Sequence, residues 1–407
     1  MTNKYLFVLG TYFPNPSANG ICVNAIIKEL KRQGDDVYVL CEDVQQLRKY
    51  RIDSNNEKIY FIKTRKINRL SNNLPFFSKI IRNTLIISHY LSWPITSLGV
   101  AKRYEYMIGQ ICKENNIQDI VCVVNPTETI IAANKITTRT DGLKFYYYFL
   151  DAFFEGKKPK WLTEKSYKRK IMNFAEETFP AAFKIVFMKN HTIPENIRTL
   201  FGNKISILDI PLVTRNETIK YVNKSKEFMN KLHFVYVGSF IDGLRSPENM
   251  LYFFDKLHEK NIEFMLDIYG NLTNEDIEKK YHKLIQSGKL KINGKISHEE
   301  ALKCISNADI VVNVGSENTS FIPSKIFEYF SMKKPILNFS TKHNDPSDAY
   351  FEKYGHSYTV VQKEVPINFV DSLDKLVENA IELNKLDIEK IFAENTPKEF
   401  IEEVLRS

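Results

Sequence analysis

The chain alternates short apolar runs with longer stretches of helical spacing. Tyr5–Leu9 is an apolar run of strand length, and Gly10–Gly20 is rich in turn formers (Pro14, Asn15, Pro16, Ser17, Asn19). Ile21–Gln33 then sets Ile21, Ala25, Ile26 and Leu30 on one helical face and stops at Gly34. Val37–Cys41 follows as a strand, and the apolar runs Ile120–Val124, Lys144–Leu150 and Lys184–Met188 predict buried strands between helices. Ile205–Val213 reads ISILDIPLV, after which the chain turns polar and charged from Thr214 to Asn230. That change marks a crossing between domains.

The pattern then restarts. Strands are predicted at His233–Val237, Phe264–Tyr269, Leu290–Ile292 and Ile310–Val314, with Pro335–Asn338 as the final one. Helices are predicted at Asn249–Lys260, His298–Ser306 and Ser324–Met332, with helical patterns continuing to the C-terminus. Alternating strands and helices imply parallel sheets covered on both faces, here two doubly wound α/β domains in tandem. No internal repeat stands out.

Composition supports a folded two-domain protein. The 407 residues are 43% hydrophobic and 26% charged, with only 15 Gly and 15 Pro, which excludes disordered and collagenous classes. Cys22, Cys41, Cys112, Cys122 and Cys304 are odd in number, scattered and without a C-x-x-C pair, which fits a reducing compartment better than a disulfide framework or zinc ribbon. The apolar run after Lys4 is short for a signal peptide, and residues 83–101, though free of Lys, Arg, Asp and Glu, hold His89, Pro94 and several Ser and Thr. The expectation is a cytoplasmic protein. His89, alone among apolar residues, reads as structural.

Charge is distributed unevenly. Residues 1–212 carry 31 Lys and Arg against 19 Asp and Glu, whereas the rest carries 26 against 30. No acidic residue lies between Glu57 and Glu105, a stretch holding Lys58, Lys63, Arg65, Lys66, Arg69, Lys79, Arg82, Lys102 and Arg103. A second basic cluster, Lys157 to Lys170, surrounds Trp161. Basic residues interleaved with Tyr60, Phe61, Phe76, Phe77, Tyr90 and Trp93 suit nucleic acid, although none of the usual nucleic-acid motifs appears. Phe76-Phe77-x-Lys79-Ile80-Ile81-Arg82 better suits an anionic membrane surface. A lipid-diphosphate acceptor would bring the same charge and apolar character, and a solvated basic face is the plain alternative.

Candidate chemistry gathers at strand ends of the second domain, where doubly wound sheets bind ligands. Gly238-Ser239 ends one strand and precedes Arg245, whose guanidinium can clamp a phosphate; a turn glycine with a solvated arginine is the alternative. Gly270-Asn271 ends another strand. The third segment runs Val311-Val-Asn313-Val-Gly315, a polar loop through Ser320, then Pro323-Ser324-Lys325-Ile326-Phe327-Glu328-Tyr329. Pro323 and Ser324 make a good helix start, Lys325 adds charge at an anion-favouring helix terminus, and Glu328 can accept hydrogen bonds from ribose hydroxyls. The alternative is an ordinary capped helix whose Glu offsets nearby lysines.

In this order, the three segments resemble the C-terminal domain of GT-B glycosyltransferases similar to glycosyltransferase family 4. Pro323-Ser324-Lys325-x-x-Glu328-Tyr329 followed by Lys334-Pro335-Ile336 resembles the PSK-x-x-EY…kPI signature of bacterial capsule, exopolysaccharide and O-antigen transferases. Leu232–Phe339 carries the match. The resemblance implies a GT-B fold, with two Rossmann-like domains across a cleft: an acceptor domain over 1–212, a nucleotide-sugar domain over 213–392, and a C-terminal helix over 393–407 returning to the first.

It further implies that Arg245 and Lys325 hold the donor diphosphate without a metal or other cofactor, consistent with the lack of any D-x-D. Ser324 and its backbone would touch phosphate, Glu328 the ribose, and Gly294-Lys295-Ile296 would lie beside the base. Gly20 would sit on a loop facing the diphosphate. Two departures stand out. A usual Glu position is Ser320, and a usual His-Asp pair is Leu150-Asp151, where Asp151 either orients the acceptor hydroxyl or caps a helix.

The implied activity is retaining transfer of a hexose or N-acetylhexosamine from a nucleoside diphosphate sugar, UDP preferred, to a glycan or lipid-linked acceptor. The protein would lie peripherally on the cytoplasmic face of the membrane, with homo- or hetero-oligomers open and nucleic acid excluded as a partner. The alternatives are a non-catalytic partner subunit stabilising an active transferase, and a nucleotide-sugar epimerase, for which no clear acid and base pair is visible.

Overall fold

The computed structural model describes residues 2–407 except 15, 44–50, 55–56, 64–92, 157, 215–231, 242, 244, 273–274, 317–321, 344 and 362–368. The chain forms two compact units, Met1–Pro211 with Pro397–Ser407, and Leu212–Thr396.

The first unit is built on an eight-stranded sheet. Its strands are β1 (Lys4–Val8), β2 (Asp36–Glu42), β3 (Arg51–Ser54), β4 (Glu57–Ile62), β5 (Asp119–Val123), β6 (Lys144–Phe149), β7 (Lys184–Met188) and β8 (Ile205–Leu208). Their order is β3-β4-β2-β1-β5-β6-β7-β8; all pairs are parallel except β3 on β4. The chain winds outward in both directions from β1, which pairs β2 on one side and β5 on the other.

Strand alternation divides the core into two layers. Leu6 and Val8 face helices α2 (Leu98–Asn115), α3 (Glu128–Thr137) and α4 (Glu164–Thr178), with Tyr104, Ile108, Ile130 and Phe174 buried among them. Tyr5 and Phe7 face α1 (Ala18–Arg32), whose Val23, Ile26, Ile27 and Leu30 are fully buried. The C-terminal segment adds Phe400, Ile401, Val404 and Leu405 to this second layer.

The second unit holds β9 (Leu232–Val237), β10 (Phe264–Tyr269), β11 (Leu290–Ile292), β12 (Ile310–Val314), β13 (Ile336–Ser340) and β14 (Ser357–Val361), in the order β11-β10-β9-β12-β13-β14. All five pairings are parallel. Its core packs Phe234, Leu266, Val312 and Phe339 against Met250, Phe253, Phe254 and Leu257 of helix α6 (Glu248–Glu259), which follows helix α5 (Glu195–Phe201) of the first unit. Helix α7 (His298–Asn307) opens on a capping box in which Ser297 and Glu300 bond each other's backbone amides. Lys334 of the KPI segment closes the other end of α7, its ammonium donating to the Ala308 carbonyl at 2.8 Å.

Several boundaries differ from those predicted. Ile205–Leu208 is a strand on β7 before it is a crossing. The sheet does not end at Pro335–Asn338, because Ser357–Val361 adds β14 beside β13. β3 and β4 went unpredicted: β3 is a four-residue, half-polar strand, and Ile59–Ile62 of β4 is a short apolar run set in a basic stretch. The final helical run is broken, with Ile388–Ile391, Pro397–Phe400 and a π turn at Ile401–Leu405. Cys22, Cys41, Cys112 and Cys122 are buried and form no disulfide among the described residues, and burial pushes the thiols of Cys41 and Cys112 up to about 12. Among the described residues, no helix is long and apolar enough to cross a membrane.

Candidate functional site

In the second sheet the winding direction reverses between β9 and β12, the place where such sheets hold ligands beyond the strands' carboxyl ends. The three segments of interest meet there. β9 leads into Gly238 and Ser239, β10 into Gly270 and Asn271, and β12 into Gly315 and, after residues 317–321, helix α8 (Lys325–Ser331).

The glycines allow these turns to interlock. Gly270 holds φ +150°, and a Cβ there would lie 1.8 Å from the Gly238 carbonyl oxygen. Phe240 donates its amide to Asn271, and Gly270 donates to Gly294, so the loops after β9, β10 and β11 are tied in sequence. Ile296 lies two residues beyond Gly294 and is half-buried.

Arg245 is carried on a short reversal. Ile241 and Arg245 exchange backbone hydrogen bonds of 3.1 and 2.8 Å around Gly243, which takes φ +68°. The Arg245 Nε is buried, with no hydrogen-bond partner among the described residues at ordinary hydrogen-bond distance. The Arg245 charge opposes the rise that burial imposes on Tyr236, whose ring stacks on Phe240 at 4.5 Å. It also acts on Tyr329, where burial is the larger influence and the Glu328 carboxylate pushes the same way as burial. Arg245 follows β9 and α8 follows β12, and these two strands are neighbours in the sheet. Arg245 as a whole is half-buried.

On α8, the Lys325 ammonium pairs with the Glu328 carboxylate at 2.8 Å, the side chains being 26% and 11% exposed. Ser324 occupies the N-cap with helical backbone angles and makes no side-chain cap bond, contrary to the simple capping read from the sequence. Pro323 is buried beside it, and its carbonyl accepts from Ile326 at 3.2 Å. Ser320 lies outside the described residues.

Gly20 and Asp151 belong to the first unit. Gly20 is not on a loop: Ser17 caps α1, accepting from the Gly20 amide at 3.3 Å, so the helix begins three residues earlier than its apolar spacing implies. Glycine is required there because a Cβ would meet the Thr11 carbonyl at 2.6 Å. Asp151 caps no helix, since the next one begins at Glu164. Instead its Oδ2 accepts from Asn19 Nδ2 at 2.9 Å and Asn125 Nδ2 at 3.0 Å. His191, beyond β7, is buried, and its Nδ1 has no partner among the described residues. Burial lowers its affinity for a proton, while Asp151, Glu155 and a hydrogen bond to the Leu150 backbone act in the opposite sense. Asn19, Asn125 and His191 carried no motif by which the sequence could single them out.

Of the basic stretch, Lys63 is exposed, with its carbonyl bonded by Arg103 at 2.5 Å. Arg65, Lys66, Arg69, Phe76, Phe77, Lys79, Arg82 and His89 lie outside the described residues. In the second basic cluster, Lys158 is tied to the Leu162 carbonyl at 2.9 Å.

No protein-family model matches the chain, and no curated protein matches its sequence. Solved structures do. A glycosyltransferase from Rickettsia africae ESF-5 superimposes with TM-score 0.57 at 13% identity, over 100% of this chain and 97% of that one. Alr3699/HepE of Anabaena, solved with UDP-glucose, gives 0.55 at 12% identity, over 99% of each chain. A putative UDP-N-acetylglucosamine 2-epimerase from Listeria monocytogenes gives 0.55 at 11% identity, over 100% of this chain and 96% of that one. At such identities the likeness is one of fold: two Rossmann-like α/β units of the GT-B class.

Proposed function

We propose that the chain is a retaining glycosyltransferase of the family 4 kind. It transfers a hexose or N-acetylhexosamine from a nucleoside diphosphate sugar, UDP preferred, to a lipid-linked oligosaccharide or polysaccharide acceptor in bacterial surface glycan synthesis. The observation that carries this reading is the pair of cations flanking the reversal point of the second sheet. Arg245 brings a half-buried guanidinium whose Nε has no partner among the described residues, and Lys325 stands in the first turn of α8.

Fixed positive groups at that edge suit a diphosphate, and they are worth most where charge develops on a leaving group. Arg245 and Lys325 neutralise the departing nucleoside diphosphate in place of a metal ion. Glu328 accepts from the ribose hydroxyls, exchanging its bond to Lys325 for bonds to the ligand. The bond between the sugar anomeric carbon and the diphosphate breaks as the acceptor oxygen forms its own bond to that carbon. The acceptor's proton passes to the departing phosphate oxygen. Asp151 orients the acceptor hydroxyl. The basic, aromatic stretch around Lys63, Arg65, Lys66, Arg69, Phe76, Phe77, Lys79 and Arg82 holds the protein to the anionic cytoplasmic face of the membrane, each cation contributing about 1 kcal/mol near the surface.

A thermal-shift titration with UDP, GDP, dTDP and their sugar conjugates tests the donor site. A ligand that binds only the folded state raises Tm. One nucleotide is expected to do so in the wild type and to lose the effect in Glu328→Ala. Absence of a shift with every nucleotide would favour a non-catalytic partner subunit. Product analysis separates transfer from epimerisation, because an epimerase inverts a sugar carbon with the nucleotide still attached. For the membrane contact, replacing Lys63, Arg65, Lys66 and Arg69 with Gln is expected to weaken binding to phosphatidylserine vesicles; unchanged binding would refute it.

A further inference from the structure

β8 ends the strand order of the first sheet: β7 pairs with one of its edges, and among the described residues no strand pairs with the other. Its residues, Ile205-Ser206-Ile207-Leu208, include neither a charge nor a proline. Edge strands ordinarily carry such residues, because open backbone groups invite pairing with another chain. The other outer strands are better protected. β3 holds Arg51 and Asp53, β11 holds Lys291, and β14 is half polar with Ser357 and Thr359. Ile207 is 45% exposed, and among the described strand residues no other large apolar side chain is so open.

The ladder with β7 fixes which backbone groups face outward. Ile205 to Leu208 lie opposite Ile185 to Met188, and the Leu208 carbonyl accepts from the Lys189 amide at 2.7 Å. In a parallel pair every second residue bonds to a given neighbour. Ser206 and Leu208 therefore bond to β7, while Ile205 and Ile207 turn their amides and carbonyls away from it. These two residues stand symmetrically about Ser206. A second copy of the strand, laid antiparallel with the two Ser206 residues opposite each other, pairs each Ile205 with Ile207 of the partner subunit. Every outward amide and carbonyl of the two isoleucines is then satisfied in both copies.

Side chains and charge favour the same register. Successive residues alternate between faces, so Ile205 and Ile207 share one, and Ile205 already packs against the layer that holds Phe187. Antiparallel pairing covers each exposed Ile207 with Ile205 of the partner subunit, a cross-strand apolar pair. Lys204 precedes the strand and Asp209 follows it. An antiparallel copy sets these unlike ends side by side, whereas a parallel copy would set like ends together. The arrangement closes about a twofold axis, so association stops at two copies. We propose that β8 is a self-complementary interface through which two copies of this chain associate, joining their first sheets edge to edge. The interface does not rest on the proposed transferase activity.

Sedimentation of the full chain tests it. Wild type is expected at twice the mass of one chain, and Ile207→Pro at the mass of one with Tm unchanged, because an edge strand tolerates proline where it removes only an outward amide. Ser206→Cys tests the register even if the proline variant fails to fold. Residues facing each other between two bonded pairs of an antiparallel ladder have Cα atoms about 4.5 Å apart, within the range of about 4.4–6.8 Å that a disulfide spans. Oxidised Ser206→Cys is expected to run as a covalent dimer under denaturing conditions. Oxidised wild type gives the background, its described cysteines being buried except for the half-buried Cys304. A wild-type chain that sediments as a monomer overturns the interface. A dimer that persists in a folded Ile207→Pro, or in which Ser206→Cys cross-links no more than wild type, overturns it as well.

Discussion

Lys325 Nζ lies 2.8 Å from Glu328 Oε2 within a single turn of α8. The two residues assigned to phosphate and to ribose are therefore held against each other, and each sets the other's position. An i,i+3 pair of this sort is worth only about 0.2–0.5 kcal/mol to the helix. Lys325→Ala is accordingly expected to leave Tm nearly unchanged while lowering transfer by about 100- to 1,000-fold, the usual loss on removing one electrostatic stabiliser of a leaving group. Steady-state kinetics alongside a thermal melt checks both halves. Near-wild-type turnover would remove Lys325 from the machinery.

Gly270 and Gly238 make the tightest backbone approach at the same edge. A methyl on Gly270 would sit 1.8 Å from the Gly238 carbonyl oxygen and would face φ +150°. Gly270→Ala must displace the loop after β9, and with it Arg245, so a loss of about 3 kcal/mol is expected together with loss of nucleotide binding. Gly202→Ala provides the contrast, since its φ is −56° and nothing lies within 4 Å. There the unfolded chain loses freedom and the protein gains about 0.4–1 kcal/mol. Urea unfolding of both variants distinguishes clash from a general intolerance of substitution at glycine.

The second unit was legible because its candidate residues lie on consecutive strand–turn–helix segments. Gly238, Gly270 and Glu328 each follow an apolar run whose end the sequence marks, and Phe264–Tyr269, Leu290–Ile292 and Ile310–Val314 are strands over the residues predicted. The first unit resisted for a different physical reason. Asn19 and Asp151 are 132 residues apart and meet only through the order of β1, β5 and β6, which no local pattern encodes. Gly20 misled because a helix start is set by its cap, here Ser17, before apolar periodicity begins. β14 was missed because Ser357-Tyr-Thr-Val-Val361 is a short, half-polar edge strand.

Glu42, at the end of β2, gives the first unit a pH dependence. Burial, then the charge of Glu128, pushes its carboxyl up to about 7 from 4.5, against lesser opposing influences from Arg103 and Tyr104. Between those values the folded protein binds more protons than the unfolded one, so this group's contribution to stability falls as pH rises through that window. Glu42→Gln is expected to match wild type near pH 4.5 and to exceed it at pH 8, by up to about 3 kcal/mol. Denaturant midpoints at the two pH values measure the difference; equal offsets at both would show that Glu42 is not the titrating group.

Arg406 joins the chain's last segment to the first unit, its Nη2 lying 2.8 Å from Oδ2 of Asp35, a carboxylate only 5% exposed. Asp35 also accepts from the backbone and side-chain amides of Asn3 at 3.2 Å, so it is not stranded when Arg406 is lost. Arg406→Ala is expected to cost about 1–3 kcal/mol. The apolar contribution of the segment is larger. Phe400, Ile401, Val404 and Leu405 are buried against the face that carries Phe7 and Tyr148, with Phe400 and Tyr148 ring centres 4.7 Å apart. At about 1.5–3 kcal/mol for each buried side chain, their removal rivals the roughly 5–15 kcal/mol that holds a domain together. A chain ending at Thr396 should therefore lose the first unit while keeping the second, which spans Leu212–Thr396. Limited proteolysis would then leave protected fragments from Leu212–Thr396 alone, whereas equal protection of both units would show that the segment only decorates a sheet already stable by itself.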